Sequence, residues 1–152
     1  MSKVLVTQSV IDQALGIVCS GLPRSQHEDS IEISGLLLGR EIGTGLFITS
    51  ALSGRQVSTQ YGSELDENFM AAVAHQVATG KREDRIVGMF HSHPGVGIFM
   101  SRQDVRTLMN FQRLRPAFVM MVIDPLTRVR YRFFRYDPET ETARPFSVEV
   151  IP

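Results

Sequence analysis

Residues 91–104 place two imidazoles and a carboxylate at a spacing that suits a divalent metal. His91 and His93 flank Ser92; seven residues separate His93 from Ser101, and Asp104 follows Ser101 by three. Alternate side chains of an extended chain point the same way, so a strand through 91–93 would turn both histidines to one side. Neutral imidazole is a common ligand for borderline-soft divalent metals, and Asp104 adds an oxygen ligand. Two histidines, one carboxylate and an open position for water make a catalytic rather than a structural zinc set. The chemistry of such a site is hydrolysis.

Ser101 and Asp104 have a second explanation. Ser-x-x-Asp is a capping box, with Ser101 as N-cap and Asp104 at the third helical position. That role alone would account for both residues, and it is compatible with metal binding, since a fixed helix start aims Asp104 outward. Gly95 and Gly97 let the backbone bend tightly enough to bring that helix start back toward the histidines.

Water on a metal needs a base, commonly a carboxylate near the ion. Glu28, Asp29, Glu32, Glu64 and Asp84 are the candidates. Glu32 stands apart because it opens an apolar run, 33–38, whereas the others lie in polar runs. A solvated strand end would explain Glu32 equally well from local sequence.

The elements that must position these residues follow from periodicity. Residues 3–6 form a short strand. Thr7 caps a helix over 8–20, with Val10, Ile11, Ala14, Leu15 and Val18 on one face. Cys19, the one cysteine, is expected to be a small buried hydrophobe. Residues 31–40 contain the continuous apolar triplet Leu36-Leu37-Leu38, as in a strand buried on both faces. Gly43-Thr44-Gly45 turns the chain into an antiparallel neighbour over 46–49.

Residues 53–63 are small and polar, and are expected to be irregular. A helix is expected from Glu64 to Ala78, with Leu65, Phe69, Val73 and Val77 on one face. A strand over 86–90 delivers the chain to His91, and a helix follows from Arg102 to about Arg113, stopped before Pro116. Residues 118–123 are a buried strand, Asp124-Pro125 begins a turn, 129–136 form a hairpin partner, and 146–151 form a last edge strand. The expected fold is one α+β domain over 1–152, a mixed, mainly antiparallel sheet with about three helices.

The runs Glu32-Ile33-Ser34-Gly35-Leu36-Leu37-Leu38-Gly39, His91-Ser92-His93-Pro94-Gly95-Val96-Gly97 and Ser101-Arg102-Gln103-Asp104 resemble the JAMM/MPN+ metalloprotease family. Val119 to Pro125 resembles the strand and turn that follow the metal helix in that family. Among its branches, the His-Ser-His-Pro-Gly-x-Gly run is most similar to the catalytic domains of the proteasome-lid deubiquitinase and the signalosome deneddylase. The resemblance covers roughly residues 4–136.

The resemblance implies a curved MPN (cytidine-deaminase-like) sheet and one catalytic Zn2+ held by His91, His93 and Asp104. It also implies Glu32 as the base that deprotonates water and Ser101 as a stabiliser of the oxyanion. The implied reaction is hydrolysis of the isopeptide bond between a substrate lysine and the C-terminus of ubiquitin or a ubiquitin-like protein. Partners implied are such modifiers, their conjugates and, through the lid relatives, the proteasome. Ile98 and Phe99 stand where those relatives usually carry Cys and Trp, and Val96 replaces a frequent aromatic, which loosens the inference about the preferred substrate. The sequence ends at Pro152, short of the helical region by which the lid and signalosome members join their assemblies, so a free-standing or differently recruited enzyme of compact, archaeal or bacterial type is expected. A mobile segment that recognises the modifier's tail is expected at 54–64 or 78–86. Two alternatives stay open: processing of a sulfur-carrier or modifier precursor, and a non-catalytic MPN scaffold.

Bulk composition narrows the field further. The chain has 152 residues, is 43% hydrophobic and 21% charged, and carries 16 basic and 16 acidic residues. That balance gives no general attraction to nucleic acid or to anionic membranes. Arg128, Arg130, Arg132 and Arg135 cluster, as on the polar face of a strand. A lone cysteine needs no oxidising compartment, no apolar run approaches membrane-spanning length, and the N-terminus lacks a signal pattern. A soluble cytoplasmic protein is expected.

Overall fold

The computed structural model describes residues 3–22, 31–53, 56–59, 62–65 and 67–152. The elements run β1 (Val4–Thr7), α1 (Gln8–Cys19), β2 (Ser34–Ile42), β3 (Gly45–Ser53), β4 (Gln56–Thr59), β5 (Gly62–Leu65), α2 (Glu67–Ala78), β6 (Arg85–Ser92), α3 (Arg102–Leu114), β7 (Val119–Ile123), β8 (Tyr131–Asp137), β9 (Thr142–Phe146) and β10 (Glu149–Ile151). Eight strands form one sheet in the order β10-β1-β3-β2-β6-β7-β8-β9, and β4 pairs with β5 in a separate hairpin. Three pairings in the large sheet, β1–β10, β1–β3 and β6–β7, are parallel; the others are antiparallel. This is the expected α+β architecture: one mixed, mainly antiparallel sheet and three helices.

The sheet is strongly curved, and the chain itself requires this. β9 and β10 lie at opposite edges, yet only residues 147 and 148 separate them. Three Cα steps reach about 11 Å at most, so the two edges must approach each other there. The single edge strand expected over 146–151 is therefore two strands on two edges.

Both faces of the sheet are covered. Val10, Ile11, Ala14 and Val18 of α1 pack with Leu37, Phe90, Met121 and Phe133 on one face. On the other, Val73 of α2 and Leu108 of α3 pack with Leu36, Leu38, Met89, Met120 and Val122. Strands buried on both sides have no polar alternation, which is why β2 and β7 read as continuous apolar runs. Thr7 caps α1 by accepting the Val10 N–H. Cys19 is exposed: Val18 takes the last inward position of α1, and the next residue turns about 100° away from the core.

Two further expectations are corrected. Residues 53–63 are not wholly irregular, because β4 and β5 form their hairpin there; side chains without an alternating pattern gave no sign of a ladder made by the backbone. For the same reason α2 begins at Glu67, and Glu64 and Leu65 belong to β5. The segment after α2 is tied down: Thr79, Lys81 and Arg82 donate backbone N–H bonds to the last turn of α2, Arg82 Nε donates to Gln76, and Asp84 takes hydrogen bonds from Thr49 and Arg40. Of the two locations expected for a mobile recognition segment, 54–64 lies partly outside the described residues. No helix among the described residues is long and apolar enough to cross a membrane.

Candidate metal centre

β6 is a central strand, and its C-terminal end carries His91 and Ser92 directly into the loop that begins with His93. All three are buried. His93 keeps its place because its N–H donates to the Ile123 carbonyl of β7, at 2.8 Å. The rings of His91 and His93 stand edge to face, with centroids 4.8 Å apart.

The loop then reverses. Gly95 and Gly97 adopt positive φ of 76° and 105°, a region where a side chain is strained. Asp124, wholly buried at the end of β7, accepts the N–H of Gly95 at 2.9 Å and of Gly97 at 2.8 Å. Its first oxygen also accepts from Leu126 at 3.0 Å. Burial raises the Asp124 carboxyl pKa, but the Gly95, Leu126 and Gly97 N–H bonds and the nearby His93 outweigh it and hold the group below the usual carboxylate range. This aspartate, seen in the sequence only as a turn former, fixes the loop that returns α3 to the histidines.

α3 starts with the full capping box. Ser101 Oγ accepts the Asp104 N–H at 3.1 Å, and Asp104 Oδ2 accepts the Ser101 N–H at 3.0 Å. Asp104 thereby faces the histidines: Oδ2 lies 3.2 Å from His93 Nε2, and Oδ1 lies 3.8 Å from His91 Nε2. Burial pushes the Asp104 carboxyl up; the His93 hydrogen bond, the His91 charge and the Ser101 N–H together bring it below its ordinary value.

Glu32 arrives from the residue pair that precedes β2. Its Oε2 lies 3.5 Å from His91 Nε2, and donor atoms of Glu32, His91 and His93 all fall within 4.8 Å of one another. The neighbouring backbone is fastened to the histidine strand. Ser92 Oγ accepts the Ile33 N–H at 2.8 Å, and the Ser92 N–H donates to the Ile33 carbonyl at 2.9 Å. Of the other carboxylates considered, Asp84 pairs with Arg40 far along β6, while Glu28, Asp29 and the Glu64 side chain lie outside the described residues.

The donor set fits zinc. Ligands bound tetrahedrally at about 2.0–2.1 Å sit about 3.3 Å from one another. The two Asp104–histidine contacts, 3.2 and 3.8 Å, bracket that value, and the longer one exceeds good hydrogen-bond length. His91 Nδ1 is 2.8 Å from Ser34 Oγ, which leaves Nε2 for the metal side. His93 Nδ1 is buried without a partner among the described residues.

Sequence reasoning missed Ser34, Ser92 and Asp124 as supports. For the serines the available signal was position: each is a small polar residue inside an otherwise buried strand end.

Residues 1–117 match the family described as JAB1/Mov34/MPN/PAD-1 ubiquitin protease. Over 121 residues, 76% of this chain, the sequence is 31% identical to the 26S proteasome non-ATPase regulatory subunit 14 of Dictyostelium discoideum, covering 40% of that protein. It is 31% identical over 133 residues to COP9 signalosome complex subunit 5 of Candida albicans, covering 80% of this chain and 22% of that one. It is 30% identical over 102 residues to the ubiquitin carboxyl-terminal hydrolase RPN11 of Saccharomyces cerevisiae, covering 66% of this chain and 33% of that one. The chain thus spans two fifths or less of the length of these relatives. It belongs to the JAB1/Mov34/MPN/PAD-1 family, and Glu32, His91, His93 and Asp104 make up its JAMM-type zinc metalloprotease site.

Proposed function

We propose that residues 1–152 form one catalytic domain that hydrolyses the isopeptide bond between the C-terminus of ubiquitin or a ubiquitin-like protein and a substrate lysine. The observation that carries this is the meeting of Glu32 with the histidines: a fourth ionisable donor, distant in sequence, lies 3.5 Å from His91 Nε2. The likeness to proteins named as proteasome, signalosome and ubiquitin-hydrolase subunits supports the choice of modifier.

His91, His93 and Asp104 would hold Zn2+, which when bound supplies a Lewis acid that acidifies water and polarises a carbonyl. Glu32 is about one-third exposed, so its carboxylate can face both the site and an arriving substrate. It takes the proton of the attacking water and delivers it to the departing lysine amine. Ser101 accepts the Asp104 N–H with its oxygen, and the cap does not use its hydroxyl hydrogen. That hydrogen donates to the oxyanion as the scissile carbonyl becomes tetrahedral. Phe99, whose ring centroid is 4.7 Å from that of His93, walls the site and limits water.

Retention of all four donors speaks against a non-catalytic scaffold. We place the action in the cytoplasm, on conjugates bound for, or associated with, the proteasome. Purified zinc-loaded protein should release free modifier from lysine-linked conjugates in a gel assay. Cleavage of modifier precursors alone would replace the isopeptidase assignment with precursor processing.

A further inference from the structure

We propose that the surface beside the metal centre, formed by the first half of α3 and the β7–β8 connection, docks an acidic, extended segment of the protein substrate; this deepens the isopeptidase reading and rests on it.

Charge is distributed unevenly along this balanced chain. Between Ser101 and Tyr136 there are eight arginines, no lysine, no glutamate and two aspartates, Asp104 and Asp124. Both aspartates are buried and take backbone N–H bonds, so neither offsets the surface. Arg102, Arg106, Arg128, Arg130 and Arg132 are exposed, and none of them pairs with an acidic group among the described residues.

These five converge on one side of the site. Ser34, His91, Val122 and Arg132 are successive partners across β2, β6, β7 and β8. Residues in register share a face, and strands lie about 4.8 Å apart, so Arg132 stands on the metal face about 10 Å from His91. α3 lies alongside β8, joined by two hydrogen bonds between Gln112 and the Tyr136 backbone. Four residues back along β8 is about 13 Å, which matches nine residues of helix and sets Arg132 level with the α3 start. Arg102 and Arg106 lie in the first half of α3 on its outward face, because Asp104 and Leu108 occupy the inward row. Arg128 and Arg130 belong to the connection that Asp124 ties to the loop after His93, through Gly95 and Gly97 on one side and the Arg130 carbonyl on the other.

Apolar anchors stand among the charges. Val96, Leu126 and Val129 are at least half exposed, and Leu126 reaches over Gly95. An apolar centre with a charged rim is the anatomy of a protein interface. The occupant is extended because β8 offers a free edge: its ladder with β9 stops at Phe133 and Phe146, so Tyr131 and Arg132 have no strand partner on that side among the described residues. A strand laid there would find unpaired backbone groups and two guanidinium groups.

Binding of a fluorescein-labelled peptide of alternating glutamate and leucine tests this without turnover. Its counterpart with glutamine for glutamate and a single-stranded DNA of equal charge serve as comparisons, all by anisotropy on the zinc-loaded protein. The acidic peptide should bind on the order of tenfold more tightly than the glutamine form. The double variants R102E/R106E and R130E/R132E should each remove that preference, with zinc content and thermal midpoint unchanged. Equal binding of both peptides, tighter binding of the DNA, or no effect of either variant would overturn the proposal. Zinc content and cleavage are scored separately, so a failed docking surface and a failed hydrolase are told apart.

Discussion

Ser34 Oγ lies 2.8 Å from His91 Nδ1, a buried contact between residues 57 apart in sequence. It joins the first residue of β2 to the end of β6, where the two strands are paired in register. Partners behind a metal-binding histidine fix its tautomer and aim, and losing one typically lowers metal affinity about 10- to 100-fold. Ser34→Ala should show a loss of that size in competition with a chromogenic zinc chelator. Unchanged affinity would mean that His91 is aimed by packing alone.

Ser92 makes a different prediction. Its hydroxyl and its N–H both hold Ile33, next to Glu32. Ser92→Ala leaves the Ile33 N–H without its partner, a cost of about 1–3 kcal/mol. Because the metal-facing atoms are untouched, zinc content should stay near wild type while kcat falls and KM changes little. A fall in zinc occupancy with normal turnover per zinc would place Ser92 behind the metal instead of behind Glu32.

Asp124 gives the pH dependence. Its folded pKa is lowered, so its contribution to stability is complete above the unfolded value of about 4 and is lost as pH falls through the lower folded value. Urea midpoints should therefore drop on acidification below about pH 4. Asp124→Asn turns an amide donor toward backbone donors and should destabilise the protein at neutral pH by about 2 kcal/mol. The variant should also show a flatter acid limb than wild type, since one titrating group is gone. An identical limb in both proteins would remove Asp124 from the account.

Gly35 explains a residue choice that chemistry does not. A Cβ there would sit 2.0 Å from the Phe90 ring and 2.5 Å from the Leu52 carbonyl oxygen. Gly35→Ala should cost about 3 kcal/mol through overpacking, read as a lowered urea midpoint. Displacement of β2 from β6 should also lower zinc affinity, because Ser34 and His91 are the next pair in register.

His91, His93, Ser101 and Asp104 were legible because they lie within 14 residues and their types state their chemistry. The capping box of Ser101-x-x-Asp104 was also visible, since it is local, and it sets Asp104 beside the histidines. Glu32 could be selected only by its context at the head of an apolar run; its approach to His91 depends on the β2–β6 register, which no local pattern encodes. β2 and β7 were readable because burial on both faces leaves a continuous apolar signature. The β4–β5 hairpin was not, because its residues lack alternation, and neither was the division of 146–151 between two sheet edges, which follows from closure of the whole sheet. Cys19 failed for a smaller reason: an apolar neighbourhood does not say which side of the helix a residue faces.

The central claim is that Glu32 moves the proton while His91, His93 and Asp104 hold the metal. The most direct measurement is zinc per chain together with conjugate cleavage for wild type and Glu32→Gln. The account predicts about one zinc in each protein and a loss of turnover of about 10²- to 10⁴-fold in the variant. Full activity in Glu32→Gln, or loss of its zinc, would contradict it.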